Sequence, residues 1–293
     1  PDAICFSPHK LHGAHGTPGV LVARRALYLH HNFVCKLLND LFGVQARAGC
    51  SCAGPFAHKL QVYKKFCHAV HEFDMIVPGD RVLVAVSGGK DSLSLLHLLR
   101  HFQQRSGVPF ELVAATVDPQ HPSFQPAQLE TYMRRLGVRF ARLELPIVAL
   151  AQQKLQGSTM CSFCARLKRG LLYSHCRQLG CSKLALGQHA DDLVESFFMS
   201  AFFNSQLTTM KAHYATVVPA RDGLPPHALA VVRPLLYLRE AQLSALARTL
   251  ALPVINENCP ACFNAPSERL RAKLLVNRLD TVSRAIFPSL IQR

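Results

Sequence analysis

The sequence predicts an α/β fold in which a parallel sheet is flanked by helices. In the middle of the chain, apolar runs alternate with segments of helical periodicity, a pattern typical of βαβ units on a parallel sheet. A glycine-rich loop separates the first apolar run from the helix that follows it. The 293 residues are 49% hydrophobic and 17% charged, which is ordinary for a packed globular chain of about two domains and excludes disorder.

The predicted elements follow a turn at Pro78-Gly79. Strands are expected where apolar residues run together, and helices where they recur every three or four positions. In order, the elements are strand Arg81–Val86, helix Asp91–Arg105, strand Phe110–Val117, helix Ala127–Leu136, strand Arg139–Glu144, helix Ser162–Leu179, strand Lys183–Leu186, helix Asp191–Phe203, strand Ala228–Arg233, helix Glu240–Leu250 and helix Ser267–Arg278. The turn-rich stretch Asn204–His227 has little periodicity, so we interpret it as a surface loop.

The charge balance predicts a polyanionic partner. Thirty-three Lys and Arg residues face eighteen Asp and Glu residues, which leaves a formal net charge of +15. Such a surplus attracts phosphates through counterion release, so nucleic acid is the first candidate. A basic surface that binds nothing is the alternative. No window reaches the eighteen or so uncharged apolar residues that a membrane helix needs, so we expect no membrane association.

The glycine-rich loop is a candidate phosphate site. Ser87-Gly88-Gly89-Lys90-Asp91-Ser92 follows a strand and opens a helix. Paired glycines allow the backbone to approach an oxyanion, the helix N-terminus presents free N–H groups, and the lysine adds a cation. The pattern differs from the common P-loop because Asp91 stands where that motif has Ser or Thr. A carboxylate beside phosphates suggests a Mg²⁺ ligand. A simple glycine turn is the alternative.

These six residues resemble the PP-loop of ATP pyrophosphatases. That family has a Rossmann-like, adenine nucleotide alpha hydrolase-like fold and cleaves ATP between its α and β phosphates. The resemblance implies ATP binding by Ser87–Ser92. A second segment, Leu186-Gly187-Gln188-His189-Ala190-Asp191-Asp192, resembles the G-H-H-x-D-D stretch of the tRNA-modifying branch, with Gln188 in place of the first His. The second segment implies nucleotide contacts by Gly187 and Asp191, and the two segments together imply catalytic roles for Lys90, Asp91 and Asp192. Helix N-capping is the alternative role of the two acids.

Two C-x-x-C pairs predict a metal centre. Cys161 and Cys164 open one basic helix, and Cys259 and Cys262 precede another. A two-residue spacer places both sulfurs on one side of a turn, so the pairs can close around a metal. Thiolates select zinc or an iron–sulfur cluster, and spacing alone leaves both open. We expect Cys67, Cys176 and Cys181 to be buried small apolar residues.

The stretch around the first pair, Cys161-Ser162-Phe163-Cys164-Ala165-Arg166-Leu167-Lys168-Arg169-Gly170, resembles the C-x-x-C-x-R-x-R-R-G segment of tRNA 2-thiocytidine synthetases. The resemblance extends to Arg233-Pro234-Leu235, Arg239-Glu240 and Asn258-Cys259-Pro260-Ala261-Cys262-Phe263. It implies a 4Fe-4S cluster on Cys161, Cys164 and Cys259, with Cys262 as the rival third ligand. Three thiolates would leave one iron open to carry a sulfide, unlike a closed four-thiolate site.

The resemblance implies an ATP-dependent tRNA sulfurtransferase. Mg²⁺ near Asp91 and Asp192 would accompany ATP, C2 of an anticodon-loop cytidine would be adenylated, and sulfide on the open iron would replace its oxygen. We expect tRNA and a cysteine desulfurase or other sulfur donor as partners, and a homodimer is compatible with the sequence. Basic residues on two helices are expected to contact tRNA phosphates: Arg166, Lys168, Arg169, Arg269, Arg271 and Lys273. We expect a cytoplasmic location, with an organelle left open.

Two alternative functions stay open at this point. Wobble-uridine 2-thiolation uses the same chemistry, although its enzymes often carry zinc knuckles that this sequence lacks. A non-catalytic RNA-binding module would use the four cysteines for structural zinc and would keep the loop as a relic. Small-molecule amidation on the same ATP fold needs no paired cysteines and is disfavoured.

The first sixty residues resemble a different family from the rest of the chain. Phe6-Ser7-Pro8-His9-Lys10 resembles the pyridoxal-phosphate lysine region of class V aminotransferases, the group that contains cysteine desulfurases. The segment Ala46–Pro55 resembles their C-terminal end, with Arg47 as a carboxylate ligand and Cys52 as a persulfide carrier. About sixty residues cannot form a complete cofactor pocket. We therefore predict a remnant domain over residues 1–60 that does not bind pyridoxal phosphate, and a thiolation domain over residues 61–293. Because the chain starts at Pro1, we expect it to be a fragment.

Overall fold

The structure is a computed structural model of the 293-residue chain. It describes residues 2–5, 20–23, 54–120, 124–154, 160–221, 223–255, 268–282 and 287. The chain divides into two compact units, residues 1–57 and 58–293. None of the helices in the described ranges is long and apolar enough to cross a membrane.

The first unit contains two short antiparallel strands. Strand β1, Asp2–Cys5, pairs with β2, Val20–Ala23. The residues that resemble an aminotransferase, Lys10, Arg47 and Cys52, lie outside the described residues. Their assignment therefore stays a prediction.

The second unit carries helices and strands in the predicted alternation. Its described strands are β3 Arg81–Ala85, β4 Glu111–Asp118, β5 Arg139–Glu144, β6 Lys183–Ala185, β7 His213–Val218 and β8 His227–Val232. The described helices are α1 Gly54–Glu72, which begins in the first unit, α2 Lys90–Arg105, α3 Ala127–Leu136, α4 Ile147–Lys154, α5 Met160–Leu179, α6 Ala190–Asn204, α7 Glu240–Thr249 and α8 Glu268–Val282.

In the described part of the chain, a six-stranded sheet has the order β5-β4-β3-β6-β8-β7. All its neighbouring pairs are parallel except β7 with β8. The chain moves outwards from β3 in one direction through β4 and β5, and in the other through β6 and β8. The carboxyl ends of β3 and β6 therefore border the crevice where parallel α/β sheets bind ligands. The predicted fold class is confirmed.

The sheet is covered by core on both faces, which explains its continuous apolar strands. Val82, Val84 and Val86 pack into one core with α2 and α7, whereas Leu83 packs on the other face with Leu172 of α5. Cys176 and Cys181 are fully buried in that second core, and half-buried Cys67 packs against the first. The prediction that these three cysteines are packing residues is confirmed for the two in the second core.

The surface loop predicted over Asn204–His227 is wrong in its middle. Residues His213–Val218 form β7, an antiparallel edge strand against β8. Its side chains are mostly half-buried or exposed, so the strand lacks the long apolar run of a central parallel strand. The helices α1 and α4 were also absent from the prediction.

The C-terminal helix α8 packs on α6 through a small apolar contact. Ala272 and Val276 are its buried residues, and Val276 forms a separate small cluster with Val194 and Phe287. The same helix forms ion pairs with α6 and α7, between Arg269 and both Asp192 and Glu195 and between Lys273 and Glu240.

Replacing Leu83 by Ala is expected to lower the free energy of unfolding by roughly 2–5 kcal/mol, because a fully buried side chain would leave a cavity. Leu207→Ala is the matched control, since 79% of Leu207 is exposed and we expect little change. Urea unfolding followed by circular dichroism measures both. Equal losses in the two variants would contradict this packing.

Candidate active site

The phosphate loop is a tight turn between β3 and α2. Gly88 has φ +92°, a conformation that side chains rarely adopt, and a Cβ there would lie 3.2 Å from Cβ of Ile255. The Ile255 backbone N–H donates to the Gly88 carbonyl at 2.9 Å. Ser92 Oγ donates to the Gly89 carbonyl at 2.9 Å and accepts from the Ser87 N–H at 3.2 Å. The loop is thus preorganised as a backbone cradle in front of a helix N-terminus, which suits an anion.

The second motif lies against this loop. A Cβ on Gly187 would come within 3.2 Å of the Ser92 backbone, so a larger residue there would push the two segments apart. Gly187 and Gln188 share a cavity of about 550 Å³ with Ser87 and Gly89. The structure therefore brings the two sequence motifs into one site.

Three aspartates surround the buried His189. Its Nε2 lies 3.8 Å from Asp91 Oδ2 and 3.5 Å from Asp192 Oδ2, and its Nδ1 lies 3.5 Å from Asp191 Oδ2. Burial opposes the charged ring, but the contact with Asp191 and the charges of the other two aspartates raise the pKa of His189. The protonated, cationic form of His189 is therefore favoured between these carboxylates.

The Asp91 carboxylate is short of partners. Its Oδ1 is buried and has no hydrogen-bond partner in the described part of the chain. Burial raises the pKa of Asp91, against the opposing effects of His189 and Lys90. An orphaned carboxylate oxygen beside a phosphate cradle fits a Mg²⁺ ligand.

The Asp191 carboxylate, unlike that of Asp91, is bonded to neighbouring groups of the protein. It accepts from Arg239 Nε at 3.0 Å and from the Glu240 backbone N–H at 2.7 Å. Burial alone would raise the pKa of Asp191, but contacts with His189, the Glu240 N–H and Arg239 outweigh it and hold the pKa at about 2. Asp191 therefore anchors α7 to the site.

Lys90 reaches across to α7. Its Nζ lies 3.2 Å from Asp91 Oδ2 and 3.0 Å from Glu240 Oε1, and Glu240 Oε2 accepts from Lys273 Nζ at 2.7 Å. Burial opposes the Glu240 charge, but these two lysines lower the pKa of Glu240. In this arrangement the carboxylates of Glu240 and Asp91 balance the charge of Lys90.

Arg269 of α8 lines the same cavity. It contacts Asp192 Oδ1, and its Nε donates to Glu195 Oε2 at 3.1 Å. Arg271 pairs with Glu268 at 2.9 Å, and Lys273 pairs with Glu240 as described above. The three α8 cations expected to contact tRNA are therefore bound to carboxylates of the protein.

Helix α5 forms another wall of this cavity. Ala165, Lys168 and Arg169 line it together with the phosphate loop. Half-buried Cys164 lies one turn before Lys168, and position 161 lies one turn before Ala165. The first cysteine pair therefore lies within one helical turn of residues that line the cavity, and the side chain of Cys164 packs against the second core.

Cys259 and Cys262 lie outside the described residues, as does the side chain of Cys161. Among the side chains that the structure describes, no group of three or more His, Cys, Asp or Glu is arranged to hold a metal ion. The cluster ligands therefore stay a prediction.

Several site residues were not singled out from the sequence. His189 had a signal, since it stands inside the acidic motif. Glu240 and Arg233 appeared only within matched stretches, and nothing local links Lys90 to a carboxylate 150 residues away. Arg233 and Tyr214 both line the cavity, and the Arg233 guanidinium lies over the Tyr214 ring. The guanidinium also donates to the side-chain oxygen of Gln188.

Comparisons with known proteins identify the relatives of this chain. Residues 58–277 match the PP-loop domain family. The chain is 39% identical over 235 residues to a tRNA-cytidine(32) 2-sulfurtransferase of Geobacter sulfurreducens, covering 78% of this chain and 88% of the relative. It is 42% identical over 227 residues to that of Xanthomonas axonopodis pv. citri, covering 74% and 72%.

One solved structure is similar in fold. It is the U34-tRNA thiolase NcsA from Methanococcus maripaludis with its [4Fe-4S] cluster, with a TM-score of 0.64 and 17% identity. The match covers 81% of this chain and 78% of that one. At this identity the likeness concerns the fold alone.

Gly88→Ala is expected to weaken ATP binding about tenfold or more, equivalent to about 1.4 kcal/mol, because its Cβ would displace Ile255 or the loop. Gly79→Ala is the matched control, since Gly79 has φ +86° but open space around it. Both variants carry backbone strain of about 1–3 kcal/mol. Calorimetric titration with ATP and unfolding curves separate the effects. Normal affinity in the Gly88 variant would contradict the cradle.

Asp191→Asn is expected to lower the free energy of unfolding by about 1–3 kcal/mol at neutral pH, because a charged acceptor is lost from partly buried donors. The depressed pKa of Asp191 stabilises the fold above its ordinary value of 3.8, and this contribution fades as pH falls towards the folded value. The difference between variant and wild type should therefore shrink below about pH 4.

The control for this variant is Asp280→Asn, which removes the more exposed partner of Arg239. An exposed ion pair contributes roughly 0–1 kcal/mol. Urea unfolding across the pH range measures both variants. A cost of Asp191→Asn that persists unchanged in acid would show that charge is not its cause.

Proposed function

The chain belongs to the PP-loop domain family, together with tRNA-cytidine(32) 2-sulfurtransferases, and from this membership we propose that it is an ATP-dependent tRNA sulfurtransferase that thiolates C2 of cytidine 32. The observation that carries the proposal is the shared cavity. The phosphate loop and the cysteine-bearing helix α5 line one space, so an activated base can meet its incoming sulfur there.

In the first half of the reaction, the base oxygen O2 attacks the α-phosphorus of ATP. An O–P bond forms, the bond to the β-phosphate bridging oxygen breaks, and pyrophosphate leaves. The Gly88–Gly89 backbone and the N-terminus of α2 would hold the departing pyrophosphate. Asp91 and Asp192 would hold Mg²⁺ against the phosphates. Lys90 would exchange Glu240 for phosphate oxygens and offset their charge.

In the second half, a sulfide adds to C2 and the C2–O bond breaks. The oxygen leaves on AMP, the sulfide proton goes to solvent, and no electrons are gained or lost. A 4Fe-4S cluster on Cys161, Cys164 and Cys259 or Cys262 would supply, when bound, an open iron position for the sulfide. Cys164 is a half-buried free cysteine on α5, and a cysteine sulfur is the kind of donor that such a soft-metal site requires.

The basic residues of α5 would guide the RNA. Lys168 and Arg169 line the cavity, and Arg166 is exposed beside them. Their charges would contact phosphates flanking a splayed loop base, since sequence-specific RNA recognition targets unstacked bases. The sulfur donor, a homodimer, the cytoplasmic location and the domain boundary at residue 60 stay predictions.

The test of the proposal is reconstituted thiolation under anaerobic conditions. Purified chain, ATP, Mg²⁺, a sulfide source and tRNA should yield 2-thiocytidine, AMP and pyrophosphate, measured by nucleoside mass spectrometry and nucleotide analysis. Omission of ATP should abolish the product. Formation of 2-thiouridine instead would favour the wobble-uridine alternative. Stoichiometric zinc without iron, combined with no pyrophosphate release, would favour a non-catalytic RNA-binding module.

Cys164→Ser is expected to abolish thiolation and reduce bound iron and acid-labile sulfide, because one thiolate ligand is lost. ATP binding should be retained, since Cys164 is not part of the phosphate loop. Cys67→Ser is the matched control, because Cys67 is a half-buried cysteine of α1 that packs against the first core. Unchanged iron and activity in the Cys164 variant would refute its role as a ligand.

A further inference from the structure

We propose that Gln188 selects cytidine over uridine by donating its side-chain amide N–H to N3 of the target base. This inference deepens the proposed function and rests on it. The residue lines the cavity beside the phosphate loop, and its side chain is held in one orientation by a neighbour.

Arg233 fixes that orientation. Its Nε donates to the side-chain oxygen of Gln188 at 3.0 Å. A guanidinium has donors and no acceptor, so the atom of Gln188 that faces it must be the amide oxygen. The amide NH₂ is consequently the end left for a ligand.

Arg233 is itself held firmly. It is 7% exposed, it contacts the Lys211 carbonyl, and it lies 5.5 Å from the centre of the Tyr214 ring. The Tyr214 hydroxyl lies 2.9 Å from that of Tyr173 on α5. A guanidinium locked in this way keeps the Gln188 amide from flipping, so Gln188 presents a donor and not an acceptor.

The position of Gln188 limits what it can reach on the base. The residue before it, Gly187, lies so close to the phosphate loop that a Cβ on it would come within 3.2 Å of the Ser92 backbone. A base whose O2 meets the α-phosphate of ATP there has C2 at the loop. The ring neighbours of C2 are N1, which carries the ribose, and N3. N3 is therefore the atom that a group beside the loop can read.

N3 differs between the two pyrimidines in hydrogen-bonding sense. In cytosine N3 is an acceptor and receives the Gln188 N–H, whereas in uracil N3–H is a donor and meets another donor. The carboxylate of Asp192, also in the cavity wall, already accepts from the His189 backbone N–H at 3.1 Å and contacts Arg269. Uracil is thus disfavoured because donors are left unpaired, a penalty that polar sites use for discrimination.

The test uses anticodon stem-loop RNAs with cytidine, uridine or 3-deazacytidine at the target position, the last having C–H in place of N3. Affinity is measured with a non-hydrolysable ATP analogue present, and thiolation is measured separately. Wild-type protein should bind the cytidine RNA about tenfold better than either of the others, the size of one good hydrogen bond in a buried site.

Two variants of Gln188 give opposite expectations. Gln188→Met keeps the length but removes the donor, so its affinities for the three RNAs should become equal. Gln188→Glu can pair with Arg233 through one oxygen and offer the other as an acceptor, so its preference should shift to uridine. Gln178→Met changes an exposed glutamine of α5 and should keep the wild-type pattern. ATP affinity should stay unchanged in all three.

Persistence of the cytidine preference in Gln188→Met would overturn the inference. Weakened ATP binding with an unchanged preference would also overturn it, since Gln188 would then serve the nucleotide. Absence of 2-thiocytidine from wild-type reactions would instead overturn the proposed function, and the binding measurements, which need no chemistry, would still decide what Gln188 reads.

Discussion

The parallel pairing of β3 with β6 is the contact on which the site depends. The paired residues Val82 and Lys183 are about a hundred positions apart in the chain, yet the loops that follow the two strands become neighbours. Because the chain leaves these strands in opposite directions, a crevice opens between their carboxyl ends. Gly187 then allows the second loop to rest on the backbone of the first. A phosphate cradle and an acidic segment, each incomplete alone, thereby form a single cavity.

Much of this arrangement could be predicted from the sequence because its signals are local. Buried parallel strands are short apolar runs, and β5 and α3 have the predicted bounds. The strand β7 escaped prediction because an edge strand with half-exposed side chains lacks such a run. In the site, paired glycines indicated the phosphate loop, and adjacent aspartates indicated the second motif. The partners of those acids could not be predicted, since Arg269 lies 77 residues from Asp192 and their contact depends on how α8 packs.

The structure also divides the basic residues by role. On α8, Arg269 and Lys273 are bound to carboxylates of α6 and α7 and so hold elements of the protein together, whereas Arg271 pairs within its own helix. On α5, Lys168 and Arg169 line the cavity and Arg166 is exposed beside them, where a polyanion would approach. A formal charge of +15 therefore says less about RNA binding than the positions of a few side chains. The same distinction applies to Arg233, whose buried charge orients a neighbouring amide instead of meeting solvent.

The apolar contact of α8 is small, so this helix depends on ion pairs, whereas the strands of the sheet depend on apolar burial. Only Ala272 and Val276 are buried along its described length, whereas its ion pairs reach the walls of the cavity. Ionic attachments weaken as dissolved salt rises, while the burial of the strands does not. High ionic strength should therefore detach α8 before the rest of the molecule unfolds. The acids that Arg269 and Lys273 neutralise would then be exposed while the sheet stays intact.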